Sequence, residues 1–295
     1  MHRERESCWV QCGRKFSVHE LEEIRETVAT FCLLSREELS MTICEHLSWY
    51  SASGSPKSDA CLKLLEKLEA KGFLKLPEKR VYPPSRRRAK PSRTERTNPS
   101  SAIECNLTEV GSIRLELVRE REETQLWNEY VDRYHYLGYK APFGCYARYF
   151  VDSERGKLGC LLFSGAAKSL GQRDRWIGWN EKSRLSNLGL VLNNTRFVIF
   201  PWVRVKNLAS HVLGSAARRI VADWQQRWSY RPVLLETFVD PGYFDGTCYR
   251  AANWQYIGMT TGEGLVRKGW SYTTSPKKIF VKPLADDFRT VLCSL

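Results

Sequence analysis

The chain has 295 residues, of which 46 are Lys or Arg and 33 Asp or Glu, giving a formal charge of +13, and 12% are aromatic. That supply of Trp, Tyr and Phe can fill a core, which excludes wholesale disorder and a collagen-like fibre, and the length suggests two domains. No run approaches the roughly eighteen apolar residues of a membrane span, so a soluble, cytoplasmic protein with no membrane partner is expected. The start, Met1 to Glu6, is charged and holds no apolar segment of signal-peptide length. Ten cysteines without a CxxC pair point to reduced thiols rather than a disulfide framework.

The first 77 residues carry 11 basic and 12 acidic side chains, a net of −1. Ser17-Val18-His19-Glu20 and Ser35-Arg36-Glu37-Glu38 both read as capping boxes, in which hydroxyl and carboxylate satisfy free backbone donors at a helix start. The first helix would run through Leu21, Ile24, Val28 and Phe31, the second through Leu39, Ile43 and Leu47. A third, with Ala60, Leu64, Leu65 and Leu68 on one face, would be capped by Ser58 or Asp59 and stopped by Gly72. Phe73 to Pro77 reads as a short strand. Three helices and a strand outline a winged-helix domain, whose third helix would bring Lys57, Lys63 and Lys67 to DNA phosphates, with a three-helix protein-interaction module as the alternative. Cys8, Cys12, His19 and Cys32 match no tight zinc-ligand spacing.

Residues 78–96 differ sharply, with a net of +6. Arg86, Arg87, Arg88 and Lys90 lie among three prolines without apolar periodicity, the composition of a flexible basic linker. Guanidinium groups on such a tether suit phosphate backbones, since each contact releases counterions without fixed geometry.

The remaining residues carry a net of +8. Leu126, Trp127, Tyr130, Val131 and Tyr134 form a helical stripe, and Cys145 to Val151 and Leu158 to Phe163 read as a hairpin. A strand over Arg196 to Phe200 precedes a long helix with Leu208, Val212, Ala216, Ile220 and Trp224 on one face. Strands over 233–239, 254–258 and 278–282 and a short helix over 247–253 complete an α+β domain. Cys248, at or beside the start of that helix, is a candidate nucleophile with His211 or His135 as base. Glu236, Asp240 and Asp174 are candidate Mg²⁺ ligands for a nuclease-like site, with a structural ion pair to Arg196 or Arg250 as the alternative for the first two. Trp176, Trp179, Trp202, Trp254 and Tyr256, mixed with Arg173, Arg175 and Arg204, would offer a platform for bases.

Asn193-Asn194-Thr195-Arg196-Phe197-Val198-Ile199-Phe200-Pro201-Trp202-Val203-Arg204-Val205, Asn207-Leu208-Ala209-Ser210-His211, Leu235-Glu236-Thr237-Phe238-Val239-Asp240-Pro241 and Gly246-Thr247-Cys248-Tyr249-Arg250-Ala251-Ala252-Asn253-Trp254 resemble the DruA family. That resemblance implies a place in Druantia anti-phage defence or a mobile element, with DNA and other defence proteins such as a helicase as partners. The order of elements is also similar to GNAT acyltransferases, and Tyr249-Arg250-Ala251-Ala252-Asn253-Trp254 resembles their Tyr-x-x-x-Gly-Phe pattern. This implies Tyr249 as a general acid. Arg204-Val205-Lys206-Asn207-Leu208-Ala209-Ser210 stands where that fold has a glycine-rich phosphate loop, and the absence of glycine argues against acyl-CoA. Arg196, Arg204, Lys206 and Arg250 would then contact nucleic acid.

The expected arrangement is α+β: a winged-helix-like helical domain over 1–77, a basic linker over 78–104 and a GNAT-like mixed-sheet domain over 105–295. The expected function is DNA binding, with nucleotide recognition or modification in the second domain. A metal-dependent nuclease or transposase-like protein, and a non-catalytic platform recruiting a helicase, are the alternatives.

Overall fold

The computed structural model describes residues 9–31, 34–52, 54–78, 91, 93–142, 144–262 and 274–294. They form two compact units, one of Met1–Arg87 with Asn180–Asn187 and Ser294–Leu295, the other of Arg88–Trp179 with Leu188–Cys293.

The first unit opens on a hairpin of β1 (Trp9–Gln11) and β2 (Arg14–Phe16). Its two-residue turn, Cys12-Gly13, has positive φ at both positions (51° and 79°), the backbone twist that matches paired strands. Helices α1 (Val18–Thr30) and α2 (Arg36–His46) start at complete capping boxes on Ser17/Glu20 and Ser35/Glu38. Helix α3 (Ser58–Ala70) has Lys57 as its N-cap and no side-chain cap, so neither Ser58 nor Asp59 plays that part. Phe16, Ile24, Ile43, Trp49, Leu64 and Leu68 belong to the core the hairpin and helices share.

The strand expected over Phe73 to Pro77 is absent. The segment carries no regular structure; Leu74 and Leu76 are buried, and side chains meet its polar backbone: Leu76 N–H donates to Glu69 Oε1 and Pro77 O accepts from Arg36 Nε. A strand needs a ladder partner, and the hairpin of this unit precedes the helices instead of following them. The winged-helix topology is therefore not what the fold shows.

The second unit holds β3 (Ile103–Cys105), β4 (Arg114–Leu117), α4 (Arg121–Tyr134), β5 (Tyr146–Ser153), β6 (Gly156–Gly165) and α5 (Gly171–Ile177). Helix α6 (Glu181–Asn187) groups with the first unit. The chain continues through β7 (Val191–Ile199), β8 (Val203–Val205), α7 (Leu208–Trp228), β9 (Leu234–Val239), α8 (Thr247–Ala251), β10 (Gln255–Met259), β11 (Lys278–Pro283) and α9 (Phe288–Cys293). Seven strands form one mixed sheet in the order β10-β11-β9-β7-β6-β5-β4, and β3 pairs with β8 in a separate parallel ribbon. The stretch between the hairpin and β7, irregular by sequence, contains α5 and α6, and β7 starts at Val191 rather than Arg196.

All neighbours in the large sheet are antiparallel except β7 and β9, which run parallel. Their pairing covers Val191↔Leu234, Leu192↔Leu235 and Asn193↔Glu236 and then stops. Beyond that point β7 stays paired to β6 and β9 to β11, so the two strands part. Side chains alternate across a strand, which sends Glu236 to one face and Thr237 to the other. Among the described residues, no helix is long and apolar enough to cross a membrane.

Candidate functional site

The parting of β7 and β9 opens a cavity of about 650 Å³, closed by the segment after α4 and the loop from β9 to α8. That volume is in the range of small-ligand sites. Its floor is an interlocked polar set. Asn194 Nδ2 donates to Leu162 O and Arg196 O, both at 3.1 Å, which turns its Oδ1 toward Tyr249. The Tyr249 hydroxyl donates to that oxygen at 2.8 Å, and Thr237 Oγ1 donates to the Asn194 carbonyl at 2.9 Å. Tyr249 is only 8% exposed, stacked on Phe280 and edge-on to Trp254. Burial pushes its phenol pKa well above the ordinary value.

Arg196 lines the cavity wall. Its Nε donates to Gly138 O at 3.0 Å and its Nη1 to Thr195 O at 2.7 Å. These acceptors are neutral; among the described residues no carboxylate pairs with Arg196. Beside it, burial and the Arg196 charge lower the His135 pKa to about 4. His135 is therefore neutral at pH 7, and because Nδ1 accepts from Leu137 N–H at 3.2 Å, the ring proton belongs on Nε2. Asn193 Oδ1 and Thr195 Oγ1 are buried without a partner on residues that line the same space.

The rim is aromatic. Tyr136, Tyr243 and Phe244 are 39%, 66% and 55% exposed, large apolar rings left in water. Tyr136 lies 4.8 Å from Tyr243 and 5.5 Å from Phe244 between centroids, and stacks on His135 at 4.9 Å. No motif or periodicity in the sequence marks these three. Their signal was aromatic residues beside Gly138 and Pro241-Gly242, in segments with no periodicity that could bury them.

A protein-family model described as Druantia protein DruA matches residues 67–269. The chain belongs to the DruA family. No curated protein matches this DruA-family chain. Among solved structures it is similar to the Drosophila melanogaster polyamine N-acetyltransferase, at 12% identity over 58% of this chain and 100% of that one, with a TM-score of 0.37. A chimera of the Vibrio cholerae spermidine N-acetyltransferase SpeG with hSSAT matches at 10% identity, over 58% and 95%, with a TM-score of 0.37. A Bacillus subtilis acetyltransferase solved with CoA matches at 8% identity, over 59% and 100%, with a TM-score of 0.34.

The residues expected to act in the DruA-family chain land in different places. Tyr249 is in the cavity, but its proton is committed to Asn194, and giving it up would leave a phenolate in a buried site. Cys248 also lines the cavity; burial raises its thiol pKa, outweighing the five-residue helix that was expected to lower it. Of its two candidate bases, His135 shares the cavity and His211 lines a different one.

Glu236 is fully buried on the opposite face and its ion-pair partner is Arg173, not Arg196 or Arg250: it accepts from Arg173 Nη1 and from Ala167 N–H, each at 2.8 Å. Arg173, expected to meet phosphate, is itself fully buried by that pair and by Asp174. Asp240 accepts from Gly242 N–H and Ser275 Oγ instead. The three carboxylates thus do not converge, and no metal-holding group exists among the described residues.

Arg204 is exposed and paired with Glu104 at 2.9 Å; Arg250 lies over the Phe280 ring; Lys63, Arg175 and Lys206 are exposed, and Lys57 is half-buried. Arg86, Arg87, Arg88 and Lys90 lie outside the described residues. Of the expected base platform, Trp179, Trp202 and Trp254 are buried and Trp176 stacks on Phe288, while Tyr256 is exposed. The stretch before α7 does not fit the pyrophosphate of acyl-CoA. Its β8 backbone pairs with β3 and Arg204 is held by Glu104, and the stretch has no glycine through which bare amides could approach a phosphate.

Proposed function

We propose that this chain is a nucleic-acid-binding component of an anti-phage defence system whose second unit holds one nucleotide in the cavity between β7 and β9. The observation that carries this reading is Arg196, a guanidinium without a carboxylate partner among the described residues, in a cavity rimmed by three exposed aromatic rings. A nucleotide supplies what that arrangement lacks: a phosphate for the guanidinium and a flat base for Tyr136, Tyr243 and Phe244. His135 Nε2–H adds a donor for the edge of a base. Recognition, rather than group transfer, is the reading supported by the committed proton of Tyr249 and the raised thiol pKa of Cys248.

The test is fluorescence anisotropy with labelled single-stranded and duplex oligonucleotides. Arg196→Gln and the pair Tyr136→Ala/Tyr243→Ala should each weaken binding by tenfold or more, since stacking alone contributes about 1–3 kcal/mol per base. Arg114→Gln, which removes an exposed pair with Glu116, serves as the control. Unchanged affinity in both cavity variants would reject the reading.

A further inference from the structure

Helix α7 turns a second surface toward a groove of about 670 Å³, which it forms with Ala251–Asn253 and with the chain at Lys282–Leu284. The apolar part of the lining comes from Leu107, Ala217, Val221, Pro283 and Leu284. Three cations line it as well: Arg218, Arg231 and Lys282, the first two exposed and the third half-buried. No Asp or Glu does.

Each of the three is held by a neutral group. Arg218 Nη2 donates to Ser215 Oγ at 3.1 Å, Arg231 Nη1 to Gln225 Oε1 at 2.8 Å and Lys282 Nζ to Asn253 O at 3.2 Å. Several other cations of this unit are neutralised by carboxylates: Lys157 by Asp152, Arg204 by Glu104, Arg219 by Asp223 and Lys278 by Asp245. Arg219 immediately follows Arg218 in sequence, so the contrast holds along one helix. Like charges in a concave, partly apolar surface repel one another and concentrate a positive potential, and an anion relieves both.

We propose that this groove is a phosphate-binding site, separate from the cavity between β7 and β9 and independent of it. Its ligand class is a phosphate group carried either by a polynucleotide backbone or by a free nucleotide. Neutral hydrogen bonds keep the three side chains in place while leaving their full charge to the ligand. An apolar floor beside the cations suits the sugar or base edge that accompanies a phosphate.

The experiment uses the full chain carrying Arg218→Gln, Arg231→Gln and Lys282→Gln together, with Ala217→Glu as a second variant that places a carboxylate in an otherwise intact groove. Oligonucleotide affinity is measured across a salt series, and inorganic pyrophosphate and ADP are titrated by calorimetry. If the ligand is a polynucleotide, the triple variant loses tenfold or more in affinity and its log–log salt slope shrinks by about 2, from about 0.7 per lost contact on a single strand. If it is a free nucleotide, oligonucleotide binding is retained while pyrophosphate and ADP binding disappear. Either result supports the site, and Ala217→Glu should reproduce it. Unaltered oligonucleotide binding, with pyrophosphate and ADP either unbound by the parent chain or bound equally by the variants, would overturn it. Arg196→Gln run in parallel separates this outcome from failure of the cavity reading.

Discussion

Arg173 Nη1 lies 2.8 Å from Glu236 Oε2, and neither side chain is exposed to solvent. The pair joins α5 to strand β9 from the face opposite Tyr249. Taking two charges out of water is costly, and the geometry offsets this with further bonds. Arg173 Nε reaches Asp174 Oδ1 and its Nη2 reaches Ala167 O, while Glu236 Oε1 takes the Ala167 N–H, all at 2.8 Å. Burial raises the Glu236 pKa, with the Arg173 charge and the Ala167 N–H opposing it. Glu236→Gln should therefore destabilise the chain by about 2–3 kcal/mol, because the buried guanidinium keeps only Asp174 as a compensating charge. The double substitution Arg173→Met/Glu236→Leu should recover most of that loss. Urea unfolding reads both, and a Glu236→Gln variant within about 1 kcal/mol of the parent would refute the structural role.

His135 makes stability depend on pH in a definite direction. Its pKa falls from 6.5 to about 4 on folding, through burial and the neighbouring Arg196. Between those values the unfolded chain binds a proton that the folded chain refuses. The contribution of the neutral ring is thus complete above about pH 6.5 and is lost as pH falls toward 4. Allowing for its solvent contact, the loss is about 1–2 kcal/mol. Melting temperatures between pH 7.5 and 4.5 should fall less steeply in His135→Gln; superimposable profiles would show that His135 is not the group responsible.

Gly246 precedes α8 with φ at +78°, and a Cβ there would meet the Phe280 ring at 2.6 Å. Phe280 in turn stacks on Tyr249, so a methyl group at 246 pushes on the cavity floor through one intervening ring. Gly246→Ala should cost about 2–3 kcal/mol, combining left-handed strain with overpacking. Gly72, at +73° after α3, has open space around it, and Gly72→Ala should cost only about 1 kcal/mol. Equal melting temperatures for the two variants would contradict the steric part of this account.

Local signals in the chain were readable. The capping boxes at Ser17 and Ser35 and the stripe along α7 depend on residues within a turn or two of each other, and each appears where its pattern placed it. Signals that depend on distant partners were not. Strand β3 has three residues and exists because β8, about a hundred positions later, lies beside it. Phe73 to Pro77 has strand-like composition but no partner. In Arg173-Asp174-Arg175 the charges suggested an exposed basic surface, yet Arg173 is buried because Glu236, 63 residues on, compensates it. The same holds for the site: Tyr249 and Arg196 were visible as residue types in a recognisable tract, whereas the aromatic rim exists only because two unrelated loops meet.

The short parallel pairing of β7 with β9 has a mechanical consequence. The large sheet is two antiparallel plates, β4-β5-β6-β7 and β9-β11-β10, sutured by three residue pairs. Changing the angle between the plates strains that suture and the side-chain bonds that cross it, such as those of Thr237 and Tyr249 to Asn194, while every other ladder lies within one plate. Hydrogen exchange should accordingly be fastest, within the sheet interior, at the amides of the seam. The opening can widen or narrow around an occupant as a hinge does, without remodelling either plate.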